Sequence, residues 1–412
     1  MSYENASALR IAAAEDHLHP AQAEADRQLA VLRRARRVAD VAARHADAVD
    51  AEARFPAEAV DAMKAEGLLG LMIPAEFGGG GATLADVASV CGQIALGCSA
   101  AAMVYAMHQI KVSSLISHGM DSPWHRSFMR RVATEQLLIA SATTEAGIGG
   151  DLRNSICAIE QDGGLFRLAK DASVISYALQ ADAIMATARR NPDAPSSDQV
   201  MAVLTADQYT LRKTGGWNTL GMRGTCSDGF RLEANAAIEQ VIPKPFAEIA
   251  AQSMLVHSHL LWGSVWQGVA AAALSRAQSY VRSEARRRPD MTPPCAVHLA
   301  EAAGKLQAMQ ATIGSALRRY EAARHEADEL SSMGFAVAIN NVKLVCSRTA
   351  VEVCQTALQV CGIHGYKNDT PFSVGRFLRD ALSAPLMISN DRILGSTATM
   401  LLVSRLETNF AG

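Results

Sequence analysis

From about Ala21 to Leu138 apolar residues recur at spacings of three and four, as at Leu29, Val31, Leu32, Val38 and Val41, on an alanine-rich background. That spacing lines up one apolar stripe along a helix of about 3.6 residues per turn, so the stretch predicts a set of packed helices. The segment GLLGLMIPAEFGGGGATL breaks it, because Pro74 cannot sit inside a helix and Gly78 to Gly81 permit a tight reversal. Thr83 or Asp86 is placed to cap the helix that follows. From about Ile139 to Ile242 the texture changes to short alternating pieces, LFRLAKDASVIS, DAIMATARR and MAVLTA, separated by Gly, Asp, Pro and Ser clusters. Alternation sends successive side chains to opposite faces and predicts an antiparallel β domain. After Pro243 the helical spacing returns through LLWGSVWQGVAAAALSRAQSYVRSEARRR and continues to the end, with RRRPDMTPP as a helix-to-helix connection. The expected fold class is therefore mainly α with a central β domain: a helical domain over 1–138, a β domain over 139–245 and a helical bundle over 246–412. The first twenty residues are expected to be poorly ordered.

Size agrees with this division, since a chain of 412 residues exceeds the length at which one core stops growing. Charge narrows the partners: 39 Lys and Arg against 41 Asp and Glu give no electrostatic ground for a nucleic acid or an anionic membrane surface. A small buried ligand fits better. The eight cysteines are scattered, with no CxxC and no histidines at zinc spacing, so no metal is expected and they read as core residues in a reducing cytoplasm. No window reaches the roughly 20 apolar residues a membrane span needs. A cytoplasmic protein is expected.

Several motifs, in order along the chain, resemble the acyl-CoA dehydrogenase family. GLLGLMIPAEFGGGGATL is similar to the family's helix end before a Pro and a Gly-rich turn. ATTEAGIGGDLRNS resembles its Thr-Glu-Pro-x-x-Gly-Ser-Asp signature, with Ala146 for Pro and Gly150 for the Ser that touches substrate or pyrophosphate. KDASVISYALQADAIMATAR resembles the segment with Trp-Ile-Thr, placing Val174 at the Trp that shields one flavin face and Ser176 at the flavin-bonding Thr. WNTLGMRGTCSDGFRLEANAAIEQVIP is similar to the Met-Gly-x-Arg segment, and Arg223, between glycines, is expected at the cleft. QVCGIHGYKNDTPFSVGRFLRD resembles Gln-x-x-Gly-Gly-x-Gly-Tyr with the Arg-Asp that follows, Ile363 replacing one Gly.

The resemblance implies an acyl-CoA dehydrogenase-like fold with a β-barrel-like middle domain, and FAD as cofactor, with FMN or reduced flavin from a reductase as the alternative. It implies flavin contacts at Thr144, Gly149 and Ser176, substrate contacts at Gly150 and Arg223, and the adenosine end of FAD at Gln359, Gly362 and Gly365. Arg286 or Arg288 takes the place of the Arg that reaches the pyrophosphate, although the usual Phe-Gly is missing. Because that end of FAD is held across subunits in the family, a homotetramer, or at least a dimer, is expected.

The family's proton acceptor is a Glu commonly nine residues after the Arg of Arg-Asp; from Arg379 that count lands on Ile388. A branch places its Glu earlier, and that position is Ser258. Neither is a carboxylate. Asp391, His257 and His259 are the replacement candidates, Asp391 because three residues from position 388 is one helical turn away. The plainer reading makes Asp391 a surface or capping acid beside Arg392 and the histidines satisfied core residues. Three functions follow: α,β-dehydrogenation of an acyl thioester on coenzyme A or a carrier protein, with an electron-acceptor protein; oxygen-dependent monooxygenation with flavin reduced by a separate reductase; or non-catalytic flavin or thioester binding.

Overall fold

The computed structural model describes residues 20–149 and 151–405, so Gly150 and all but the last of the first twenty residues lie outside it. Helix α1 (Pro20–Glu52) buries Val31, Ala35, Val38, Ala42, Ala46 and Val49, one stripe at spacings of three and four. Leu29, expected in that stripe, is 53 % exposed, because it falls on the far side of the helix from Val31. Helices α2 (Ala57–Ala65), α3 (Leu84–Ala95), α4 (Ser99–His118) and α5 (Pro123–Glu135) follow. Thr83 caps α3 as expected: its Oγ1 accepts from Asp86 N at 3.2 Å, and Asp86 Oδ2 accepts from Thr83 N at 2.9 Å. Helix α4 is buried on all sides along most of its length and forms the axis of this part.

The β region holds two sheets. Strands β1 (Ile139–Ala142), β4 (Ala183–Arg189) and β5 (Gln199–Thr205) form one, in the order β1-β4-β5. Strands β2 (Glu160–Asp162), β3 (Leu165–Ile175), β7 (Asp228–Ala237) and β6 (Tyr209–Gly215) form the other, all antiparallel. The β1-β4 pair is parallel, which corrects the wholly antiparallel expectation. Alternation reports which face of a strand is buried and carries no information on strand direction, and β4 and β5 are buried almost throughout.

The chain then forms α6 (Phe246–Ile249), a π turn over Ala250–Met254, α7 (Leu255–Arg287), α8 (Ala296–Ala323), α9 (Ala327–Leu330), α10 (Met333–Cys361), α11 (Ile363–Tyr366), α12 (Gly375–Ala381) and α13 (Asn390–Leu401). RRRPDMTPP bridges α7 and α8, where proline ends one helix and precedes the next.

Helix α12 joins all three parts. Arg379 donates to Asp50 of α1 and to Leu220 O (3.0 Å), Arg376 pairs with Asp47 at 3.1 Å, and Met222 N donates to the buried Asp380 carboxylate at 2.7 Å. Gly221 makes the junction possible, since a Cβ there would lie 2.1 Å from Arg379 O. Gly221→Ala is expected to lower stability by about 2–3 kcal/mol, because that contact is with backbone that cannot yield. A urea midpoint equal to wild type would show the junction to be looser than this.

Candidate active site

The turn after β1 is fixed by a buried ion pair. Glu145 Oε1 accepts from Cys157 N at 2.7 Å, and Oε2 accepts from Ser155 Oγ (2.8 Å), Ile156 N (3.1 Å) and Lys170 Nζ (3.1 Å). Lys170, fully buried on β3, also donates to Thr187 O of β4 at 3.0 Å. Burial pushes the Glu145 carboxyl up, but Lys170 and the three other donors outweigh it and hold it below its ordinary value. Neither residue was singled out from the sequence; the signal available was a Glu and a Lys each inside a flavin-associated motif.

Thr144 Oγ1 donates to Val174 O at 2.7 Å and accepts from Val174 N at 3.2 Å, tying the turn to the end of β3. Past these anchors Gly147 and Gly149 have φ of 93° and 60°, conformations that side chains disfavour, and open space lies where a Cβ on Gly149 would stand. Half-buried Ser176 ends a hydroxyl chain: its Oγ is 2.7 Å from Ser227 Oγ, which is 2.8 Å from Thr225 Oγ1, which donates to Met222 O at 2.9 Å. Bare backbone beside open space with a hydroxyl at the next strand end suits a flat heteroaromatic ring, so these residues fit a flavin.

The segment carrying the expected base lies against this turn, because Arg392 donates to Gly149 O. Its geometry corrects the helix-face argument for Asp391. Ile388 has a φ of 48° and precedes α13, so positions 388 and 391 do not share one helix. Asp391 is exposed in the first turn of α13, where the helix dipole favours an acid. Buried Lys343 on α10 holds the segment in place, donating to Ile388 O at 2.7 Å and Asn390 Oδ1 at 2.6 Å with the Trp266 ring 5.7 Å away.

The histidines go elsewhere. His257 and His259 are 3 % and 1 % exposed; His257 donates from Nδ1 to Ser253 O at 2.8 Å, and His259 from Nδ1 to Ile339 O at 3.2 Å. Burial pushes both down to about 4, so both are neutral inside the bundle. Between them Ser258 donates to Met254 O at 2.5 Å. Arg223, expected at the cleft, is half-buried beside α1. Met222 and Cys226, both left-handed, curl the chain around it, and its Nη2 lies 3.5 Å from Ala51 O at the end of α1.

The second glycine stretch is on another edge. Gln359 and Gly362 are exposed at the end of α10, whereas Gly365 is buried, with no room for a Cβ beside Cys361. The His364 ring is 5.8 Å from Tyr280 of α7, whose exposed end carries Arg286 and whose C-cap is Arg288. From Lys343 to Gln359 along α10 is about 24 Å at 1.5 Å per residue, so one subunit presents the two stretches at separate ends. Among the described residues no group of side chains could hold a metal ion, and no helix is long and apolar enough to cross a membrane.

Residues 25–151 match the model of the acyl-CoA dehydrogenase N-terminal domain, and residues 249–388 that of the acyl-CoA dehydrogenase C-terminal domain. "Probable acyl-CoA dehydrogenase fadE25" of Mycobacterium bovis is 27 % identical over 342 residues, 82 % of this chain and 85 % of that protein. Amino sugar nitrososynthase DnmZ of Streptomyces peucetius is 26 % identical over 372 residues, 85 % of this chain and 89 % of that protein. The crystal structure of FMN-bound TdsC from Paenibacillus sp. A11-2 superposes with a TM-score of 0.80 at 19 % identity, covering 92 % of this chain and 98 % of that one.

Proposed function

Because this chain belongs to the acyl-CoA dehydrogenase family, we propose that it is a flavin-dependent oxidoreductase, and that it oxidises a small molecule with oxygen and externally reduced flavin. One observation carries the choice of reaction: both positions at which the family places its proton-accepting carboxylate, 388 and 258, hold residues that cannot ionise. Removal of a proton beside a thioester carbonyl needs such a group; insertion of an oxygen atom does not. When bound, reduced flavin supplies two electrons to dioxygen, so that one oxygen atom enters the substrate, the other leaves as water and oxidised flavin remains.

The chain's own residues then bind and shape. The Gly147 to Gly149 backbone receives the ring, Thr144 and the Glu145-Lys170 pair hold that backbone still, and Ser176 offers a hydroxyl to a ring heteroatom. Val174 leaves one ring face without an aromatic cover. In this reading the partners are a flavin reductase and a neighbouring subunit. Exposed Gln359, Gly362 and Arg286 serve the adenosine end of a neighbour's FAD, and FMN would leave them idle.

The likeness to fadE25 favours a second reading, α,β-dehydrogenation of an acyl thioester. One comparison separates the two. The purified protein is expected to consume oxygen only when NAD(P)H, a reductase and FMN or FAD are supplied, and an acyl-CoA series under argon should leave any bound flavin yellow. Anaerobic bleaching by an acyl-CoA would instead establish dehydrogenation. Failure to take up either flavin would remove both readings.

A further inference from the structure

Helix α13 is held to α10 largely by directional bonds. Its buried residues are Asn390, Ile393 and Thr397. Opposite them Asn340, Lys343 and Ser347, at spacings of three and four, line one face of α10, and all three are buried. Asn340 Nδ2 donates to Thr397 Oγ1 at 3.1 Å, and Asn390 Nδ2 donates to Ser347 Oγ at 3.1 Å. The two bonds from Lys343 to Ile388 O and Asn390 Oδ1 complete a buried polar network. Such groups cost free energy unless each is satisfied, and a satisfied network specifies one register where an apolar contact tolerates sliding.

What the network fixes lies on both sides of Asn390. Ile388, whose carbonyl Lys343 holds, is a β-branched residue in the left-handed region, with a φ of 48°. That conformation is strained, persists only where surrounding contacts impose it, and recurs at ligand clamps and active sites. On the other side, in the first turn of α13, Arg392 reaches across to the β region and donates to Gly149 O, beside the open space at the end of the flavin turn.

We propose that Arg392 is a positioning residue for the flavin: it fixes the Gly149 carbonyl, and with it the bare backbone on which the ring lies, and the grip of α10 on α13 fixes Arg392. This rests on the flavin-enzyme reading. Thr144 and the Glu145-Lys170 pair anchor the near side of the turn from within the β region. The far side is anchored from the C-terminal bundle, so the ring is seated only when the two parts stand in one register. A register set by Asn340, Lys343 and Ser347 meets that requirement.

The test titrates FMN and FAD into the whole chain by fluorescence. Arg392 is exposed, so Arg392→Met keeps the stem, loses the donors and leaves the core closed. Its flavin dissociation constant is expected to rise about tenfold or more at an unchanged urea midpoint, and Arg392→Lys, which keeps a charged donor, should recover most of the loss. An arginine that only braces the fold would lower the midpoint and leave the affinity alone; that result, or wild-type affinity in Arg392→Met, overturns the proposal. Lys343→Met should weaken binding by a similar factor alone but by no more than about twofold in the Arg392→Met background, since residues that act through one another are not additive. Independent losses would overturn the role of the α10 grip, and Asn340→Leu, which unties Thr397, replaces Lys343→Met if that variant does not fold. If the wild type takes up no flavin, the functional reading fails, and amide hydrogen exchange across residues 143–149 of the flavin-free chain still decides the positioning. Faster exchange in Arg392→Met supports it, and unchanged exchange overturns it.

Discussion

Lys111→Met, at a buried lysine of α4 whose Nζ has Met254 Sδ at 3.3 Å as its hydrogen-bond partner, makes the protein more stable at neutral pH, by up to about 5 kcal/mol. Burial lowers this lysine from 10.5 to about 7 in the folded chain, whereas the unfolded chain keeps the ordinary value. Between those two values the unfolded state binds the additional proton, so stability rises with pH. The contribution is complete above about 10.5, shrinks as pH falls toward 7, and is lost below it. About 3.5 pK units at roughly 1.4 kcal/mol each set the upper limit, and relaxation around the amine reduces it. Methionine has similar length and no charge to desolvate, so the variant should lack this slope and exceed wild type most at pH 7 and below. Lys343, pushed down by burial to about 8, adds a slope of the same sign over a narrower range. The informative quantity is therefore the difference between the two proteins in urea midpoints from pH 6 to 11. A difference that does not change with pH, or a variant less stable than wild type, would mean that the amine is already satisfied where it lies.

This residue also marks the limit of what the sequence reveals. Periodicity located the helices, the break at Pro74, the cap at Thr83 and the α7-α8 connection, because each depends on a local preference of the backbone. It failed where the deciding partner is distant. Nothing in IASA or AIMATAR tells whether β1 runs parallel to β4. Counting to Ile388 and Asp391 assumed a helix, whereas Lys343, far off on α10, holds the Ile388 carbonyl and α13 begins only at Asn390. Arg223 between glycines gave no sign of its neighbour on α1, toward which two left-handed residues turn it. Lys111 itself looks like a polar residue on a helix surface. Helix α4 has no surface side there, and a helix buried all round leaves no contrast of faces to read. The glycine turn of the candidate site was visible as composition; the ion pair that stiffens it was not, since Glu145 and Lys170 are 25 residues apart.

Glu145→Gln tests whether that stiffening matters. The carboxylate accepts from Lys170, Ser155 Oγ and two backbone N–H groups, and all of them require an acceptor. A glutamine supplies one oxygen and turns an N–H group toward the remaining donors, and it leaves the fully buried Lys170 ammonium, which also reaches Thr187 O and the weakly accepting Cys157 sulfur, without a counter-charge. Breaking a buried pair from one side costs about 3–5 kcal/mol, so a large fall in the urea midpoint at pH 7 is expected. The sign with pH follows from the lowered carboxyl: wild type keeps this contribution above the ordinary carboxylate range and loses it as pH falls through the folded value, so the two proteins converge in acid. Stability alone would not tie the pair to function. Replacing both partners, Glu145→Leu with Lys170→Met, removes the unpaired charge and should recover much of the stability, yet Ile156 N and Cys157 N still lose their acceptor and the Gly147 to Gly149 backbone loses its anchor. Flavin fluorescence titration should therefore show the double variant binding at least tenfold more weakly than wild type despite its recovered midpoint. Wild-type affinity in that variant would separate the ion pair from the flavin turn and reduce it to a device for folding.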